Sequence, residues 1–158
     1  MTSILFVCTG NIFRSMTADF ALNKLLSSNS QFIVSSAGTR NQPELMVRSD
    51  VAAYLQSKGL NVSNHRRRTV DQEIMDGSDI VIAMHEDHQQ LLAQRFGRQC
   101  PLFTEACGNA PTPLPDVDDL FANGDYFTPA AIRHVKSTID TIVELSPSLL
   151  KQLQTNQI

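Results

Sequence analysis

Ser3-Ile4-Leu5-Phe6-Val7-Cys8-Thr9-Gly10-Asn11-Ile12-Phe13-Arg14-Ser15 joins an apolar run of strand length to a small-residue loop and then to a helical pattern, Ala18, Ala21, Leu22, Leu25 and Leu26. Ser3 to Val7 reads as a buried strand, and the spacing after Ser15 reads as a helix. The loop therefore lies where a strand meets a helix N-terminus. Such a junction aims backbone N–H groups and the positive end of the helix dipole at whatever fills it. Cys8 to Arg14 can curl around a tetrahedral oxyanion, with the amides of Thr9, Gly10, Asn11, Ile12 and Phe13 on its oxygens. The planar fork of Arg14 adds bidentate contacts that a lysine lacks.

The same field favours the thiolate of Cys8, the nucleophilic form of the side chain. Ser15 is a natural helix N-cap, or its hydroxyl bonds the sulfur instead. Gly10 and Asn11 are residue types that tolerate positive φ. The plain alternative is an inert buried cysteine at a strand end. The strand before the loop and the helix after it are independent requirements of the functional reading, and both are met.

Farther along, Phe32 to Ser36 reads as a second strand and Ser49 to Leu55 as a helix stopping at Lys58-Gly59. Thr69-Val70-Asp71-Gln72 fits a capping box opening a short helix to Asp76-Gly77. Asp79 to Met84 is the best third strand, followed by a helix through Leu91, Leu92 and Phe96. Cys100 to Phe103 is a weak edge strand, because Pro101 has no N–H for a ladder. Thr104 to Tyr126 reads as a long loop holding Asp116, Asp118 and Asp119, and loops of that length usually carry function. Thr128-Pro129 opens a last helix expected to break near Ser146-Pro147, with a further turn over Leu149 to Leu153. Alternating strands and helices predict one α/β domain over 1–158, a doubly wound parallel sheet with helices on both faces.

The chain is 42% hydrophobic and 18% charged with a net charge of −3, a balance that argues against general nucleic-acid or anionic-membrane binding. Arg66-Arg67-Arg68 reads as a solvated loop rather than a nucleic-acid patch. No apolar run reaches membrane-spanning length and no secretory leader is evident, so a cytoplasmic protein is expected. Cys8, Cys100 and Cys107 are odd in number and lack metal spacing, which suits a reducing compartment. His85-Glu86-Asp87-His88 departs from the His-Glu-x-x-His pattern and reads as a solvated helix start. Neither a metal nor a cofactor is expected.

The loop and first helix, Val7 to Ser15 with Thr17-Ala18-Asp19, resemble the signature of the low-molecular-weight protein tyrosine phosphatases. Ser35 to Thr39, His65 to Arg68, Ser78 to Met84 and Leu114 to Phe121 follow in that family's order and spacing. The resemblance implies a four-stranded sheet in the order 2-1-3-4. It implies hydrolysis of phosphotyrosine through a phosphocysteine on Cys8, with Arg14, Ser15 and the loop amides holding the phosphate. The family's acid lies in a Val-x-Asp-Pro pattern, which Val117-Asp118-Asp119-Leu120 matches except for the leucine. Asp119 is therefore the expected acid, with Asp116 and Asp118 as rivals. The expected partner is a phosphotyrosine-bearing protein, a tyrosine kinase being one such substrate, together with phosphate-like oxyanions. The loop after the second strand carries no aromatic residue for the cleft wall, only Leu45 and Met46. Two other classes use the same loop: an arsenate reductase, whose resolving cysteine would fall where this chain has Met84, and a catalytically silent phosphate-binding module.

Overall fold

The strand that opens the chain becomes the centre of the sheet. A computed structural model describes residues 1–121 and 125–158. In chain order the elements are β1 (Thr2–Cys8), α1 (Arg14–Leu25), β2 (Phe32–Gly38), α2 (Ser49–Ser57), α3 (Gln72–Asp76), β3 (Ile80–Ala83), α4 (Glu86–Phe96), α5 (Phe103–Ala106), α6 (Val117–Leu120) and α7 (Pro129–Gln154). The strands pair in parallel in the order β2-β1-β3. Cys8 faces Gly38 across one register and Val7 faces Ala83 across the other, so both neighbours end beside the loop.

Alternate residues of β1 enter two cores, as the period-two geometry of a strand requires. Ile4, Phe6 and Cys8 belong to a cluster with Ala18 and Leu22 of α1, Phe103 of α5, and Ile142 and Leu149 of α7. Leu5 and Val7 belong to another with Met75 of α3 and Leu92 of α4. Helices thus cover both faces, and β1 is fully buried from Ile4 to Val7.

Four expectations are corrected. The fourth strand shrinks to a single parallel bridge, Ala83 with Leu102. Pro101 contributes only its carbonyl, to Ala83 N at 2.9 Å, and the Leu102 amide turns to the Glu105 carboxylate at 3.2 Å, starting α5 where a ladder would have continued. The loop expected over 104–126 contains the end of α5 and all of α6, and its residues 122–124 lie outside the described part. The last helix does not break: α7 runs through Pro147 to Gln154. Ser146 donates to the carbonyl of Ile142 at 2.7 Å, and buried Ile142, Ser146, Leu149 and Leu153 hold the helix to the core on either side of the proline. Finally, α3 is capped by Asp71, whose carboxylate accepts from Ile74 N at 2.8 Å, rather than by Thr69.

Candidate active site

Cys8 is the last residue of β1 and 2% exposed, and its sulfur meets two polar groups of the loop. Ser15 Oγ lies 3.0 Å from Sγ, and the Asn11 N–H reaches it at 3.3 Å. Ser15 is therefore the sulfur's partner and not the helix cap; α1 begins at Arg14, after Phe13 without a side-chain cap.

Of the two residues expected to tolerate positive φ, only Asn11 adopts it, at 57°. Three contacts hold it there. Its side chain donates to Ser15 Oγ at 3.0 Å and accepts from Arg68 N at 3.1 Å, and its carbonyl meets His65 Nε2 at 2.7 Å. Arg67 adds a clamp, with Nε on the carbonyl of Gly10 at 3.0 Å and Nη2 on the carbonyl of Arg40 at 2.6 Å. The segment expected as a solvated loop is thus the outer brace of the Cys8 to Ser15 loop. Gly38 closes the other side: a Cβ there would lie 2.7 Å from the carbonyl oxygen of Thr9.

Arg14 is 1% exposed and lies under the cavity. Nη1 donates to the carbonyl of Leu114 at 2.8 Å, and Nη2 to Asp116 Oδ2 at 2.7 Å. Its Nε is buried and has no partner among the described residues. A buried guanidinium with an idle donor is costly to keep unless an anion completes it.

The acidic segment differs from expectation. Asp119 does not line the cavity: it is exposed, and its carboxylate accepts from Asp116 N at 2.6 Å, capping α6. Asp116 and Asp118 line the cavity, and Asp116 is the carboxylate that meets Arg14. The reason is one turn of helix. Asp116 is the N-cap of α6 and faces the loop, and the residue three positions on folds back onto the Asp116 amide.

Tyr126 supplies the aromatic wall missing from the loop after β2. It lines the cavity, hydrogen-bonds Asp118, and has the Arg48 guanidinium 5.6 Å from its ring centroid. Leu45 and Met46 line the facing side, and the cavity between measures about 260 Å³. His88, expected in solvent, is 3% exposed and sits 2.9 Å from Thr9 Oγ1 through Nε2. Burial, and secondarily the Arg14 charge, push its pKa down to about 3, so it is neutral. No periodicity in the sequence signals His88 or Tyr126; His65, Arg67 and Arg68 fell in a resembling segment without an assigned role. Among the described residues no helix is long and apolar enough to cross a membrane.

Comparison with known proteins shows the family. The family model described as "Low molecular weight phosphotyrosine protein phosphatase" matches residues 3–157. A protein-arginine-phosphatase of Bacillus subtilis is 31% identical over 98% of both chains. The YwlE arginine phosphatase, solved as a mutant with a phosphorylated active site serine, superposes with a TM-score of 0.80 at 27% identity, covering 97% of this chain and 96% of that one. An arsenate reductase of Staphylococcus epidermidis is 32% identical over 54% of this chain and 61% of its own length. With a signature loop built around Cys8 and Arg14 and a family match across almost its whole length, the chain belongs to the low molecular weight phosphotyrosine protein phosphatases.

Proposed function

We propose that residues 1–158 form one phosphatase domain that hydrolyses phosphotyrosine in proteins through a phosphocysteine intermediate. The observation that carries this reading is Cys8, at the floor of a cavity, bonded by Ser15 and the Asn11 amide beside a buried Arg14 whose Nε has no partner. The amides of Thr9 to Phe13 and the Arg14 fork take the phosphate oxygens. The Cys8 thiolate attacks phosphorus, a P–S bond forms, and the P–O bond to the aryl group breaks. The leaving phenoxide requires a proton at that moment.

We assign that proton to Asp116 in place of Asp119. The arriving dianion competes with Asp116 for Arg14, which frees the Asp116 carboxyl to turn toward the leaving oxygen. In the second step Asp116 takes a proton from water as the oxygen attacks phosphorus, the P–S bond breaks, and the thiolate returns to its place beside Ser15 and the Asn11 amide. Leu45, Met46 and Tyr126 form walls suited to an aryl group. The substrate protein, including a tyrosine kinase, enters at this same cleft, and no cofactor is invoked.

Phosphoarginine in proteins is a second substrate, favoured by the near-full-length relative that acts on it and by Asp118 on the cavity wall, a partner for a guanidinium. The reductase reading has less support: buried Met84 stands where a resolving thiol is needed, and burial pushes the Cys100 and Cys107 thiols up to about 11 and about 12. The test is hydrolysis of matched phosphotyrosine and phosphoarginine peptides, with mass spectrometry of acid-quenched enzyme. A phosphoryl adduct on the Cys8 peptide is expected. Turnover retained by Cys8→Ser would remove the proposal.

A further inference from the structure

Two buried side-chain nitrogens lack a hydrogen-bond partner among the described residues, Arg14 Nε and His88 Nδ1, and the Thr9 hydroxyl touches both side chains. Thr9 Oγ1 is 2.9 Å from His88 Nε2 and 3.4 Å from Arg14 Nη2. Nothing in the two-step reaction uses His88, yet it is 3% exposed and belongs to the first turn of α4.

A neutral imidazole has one proton to place. If it sits on Nδ1, the Thr9 hydroxyl donates to Nε2 and a buried N–H is left with no acceptor. If it sits on Nε2, His88 donates to Thr9 and Nδ1 keeps only an idle lone pair. Orphaned N–H donors are the rarer and costlier case, so the second arrangement is favoured. Its consequence concerns Thr9. The two lone pairs of Oγ1 receive His88 and Arg14, and the hydroxyl proton is left over on a side chain that lines the cavity.

We propose that His88 is a positioning residue which, as the Nε2–H tautomer, converts the Thr9 hydroxyl into one more donor for the oxyanion held by the loop. The inference rests on the phosphate-binding reading of that loop. Burial and the nearby Arg14 charge keep the ring neutral across the working pH range, so the tautomer is not lost to protonation.

The test begins on the ligand-free wild type, by nitrogen-15 NMR of the imidazoles. His88 should show a protonated Nε2, a bare Nδ1, and no titration between pH 8 and pH 5. Orthovanadate affinity and kcat/KM on an aryl phosphate should then fall about 3- to 10-fold in Thr9→Val, the loss of one hydrogen bond. Thr9→Ser should retain both. His88→Leu should match the Thr9→Val loss, His88→Gln, whose amide still donates, should recover most of it, and the Thr9→Val/His88→Leu double variant should be no worse than Thr9→Val alone. An Nδ1–H tautomer, a charged imidazole in the wild type, or additive losses in the double variant would overturn the assignment. A wild type that binds vanadate with this dependence on Thr9 but turns over no ester would sink the phosphatase reading and leave the His88 assignment standing.

Discussion

The loop from Cys8 to Ser15 and the wall made by residues 116–121 and 125–127 meet at one cavity but are built in opposite ways. In the loop Asn11, Arg14 and Ser15 are at most 1% exposed, and His65, Arg67 and Arg68 brace it from behind. In the wall Asp118, Asp119 and Leu120 are exposed and Phe127 is 70% exposed. Asp116 and Asp119 cap one short helix, and the Asp116–Arg14 ion pair ties the wall to the loop, with Val117 and Phe121 packed in the same apolar cluster as Phe13. Burial leaves the loop one arrangement, since its polar groups must find partners, and Arg14 Nε is the buried loop donor left without one among the described residues. Asp116, with its side chain 27% exposed, keeps contact with water, which suits a group that must hand a proton to substrate and later recover it.

The sharpest way to break this contrast is in the loop. Cys8→Ser should abolish turnover while vanadate still binds, and Arg14→Lys should lose most activity because it keeps the charge and removes the fork. Steady-state kinetics with isothermal titration of vanadate separates the two effects. The wall comes next in size. Asp116→Ala should lower kcat by about 10² to 10⁴-fold on esters with poor leaving groups and much less on activated ones, with Asp119→Ala near wild type. A large leaving-group-dependent loss in Asp119→Ala would show that the wall rearranges around substrate and that the capped state is a resting one.

Smaller effects probe the bracing. Gly38→Ala puts a methyl group against the Thr9 carbonyl and should cost about 1 to 3 kcal/mol in chemical denaturation, with reduced activity. His88 makes stability depend on pH. Its folded pKa of about 3 lies below the unfolded value near 6.5, so below pH 6.5 the unfolded chain binds the proton first. Stability should fall by up to about 1.4 kcal/mol per pH unit from pH 6.5 toward pH 3, and His88→Gln should flatten that slope. The smallest effect tests whether the loop has a rescuing thiol within reach. Phe13 stands where many members of the family carry a second cysteine, and burial holds the Cys100 and Cys107 thiols protonated. Peroxide should inactivate the protein with poor recovery in dithiothreitol, bound phosphate should protect it, and Phe13→Cys should improve recovery. Full thiol recovery of the wild type, with an intramolecular disulfide in the mass spectrum, would show that a distant cysteine reaches Cys8.

Much was legible in the chain because it is written in neighbouring residues. The buried strand from Ile4 to Val7, the helical spacing after Ser15 and the cysteine and arginine of one loop are local patterns, and local geometry forces them together. The apolar run over Ile80 to Ala83 and the proline opening α7 are of the same kind. The rest depends on partners remote in sequence. Thr9 meets His88 across 79 positions, Asn11 meets His65 across 54 and Arg14 meets Asp116 across 102. A polar residue's own neighbourhood does not say whether folding will bury it, so His88 and Arg67 read as solvated until the packing of α4 and the 65–68 segment brought them to the loop. The fate of Pro101 and Pro147 turned on context in the same way: one ended a ladder because Leu102 found Glu105, and the other stayed inside a helix because the core holds both of its flanks. Among Asp116, Asp118 and Asp119, composition offers no preference; one turn of α6 sends the first toward Arg14 and folds the last back onto the backbone.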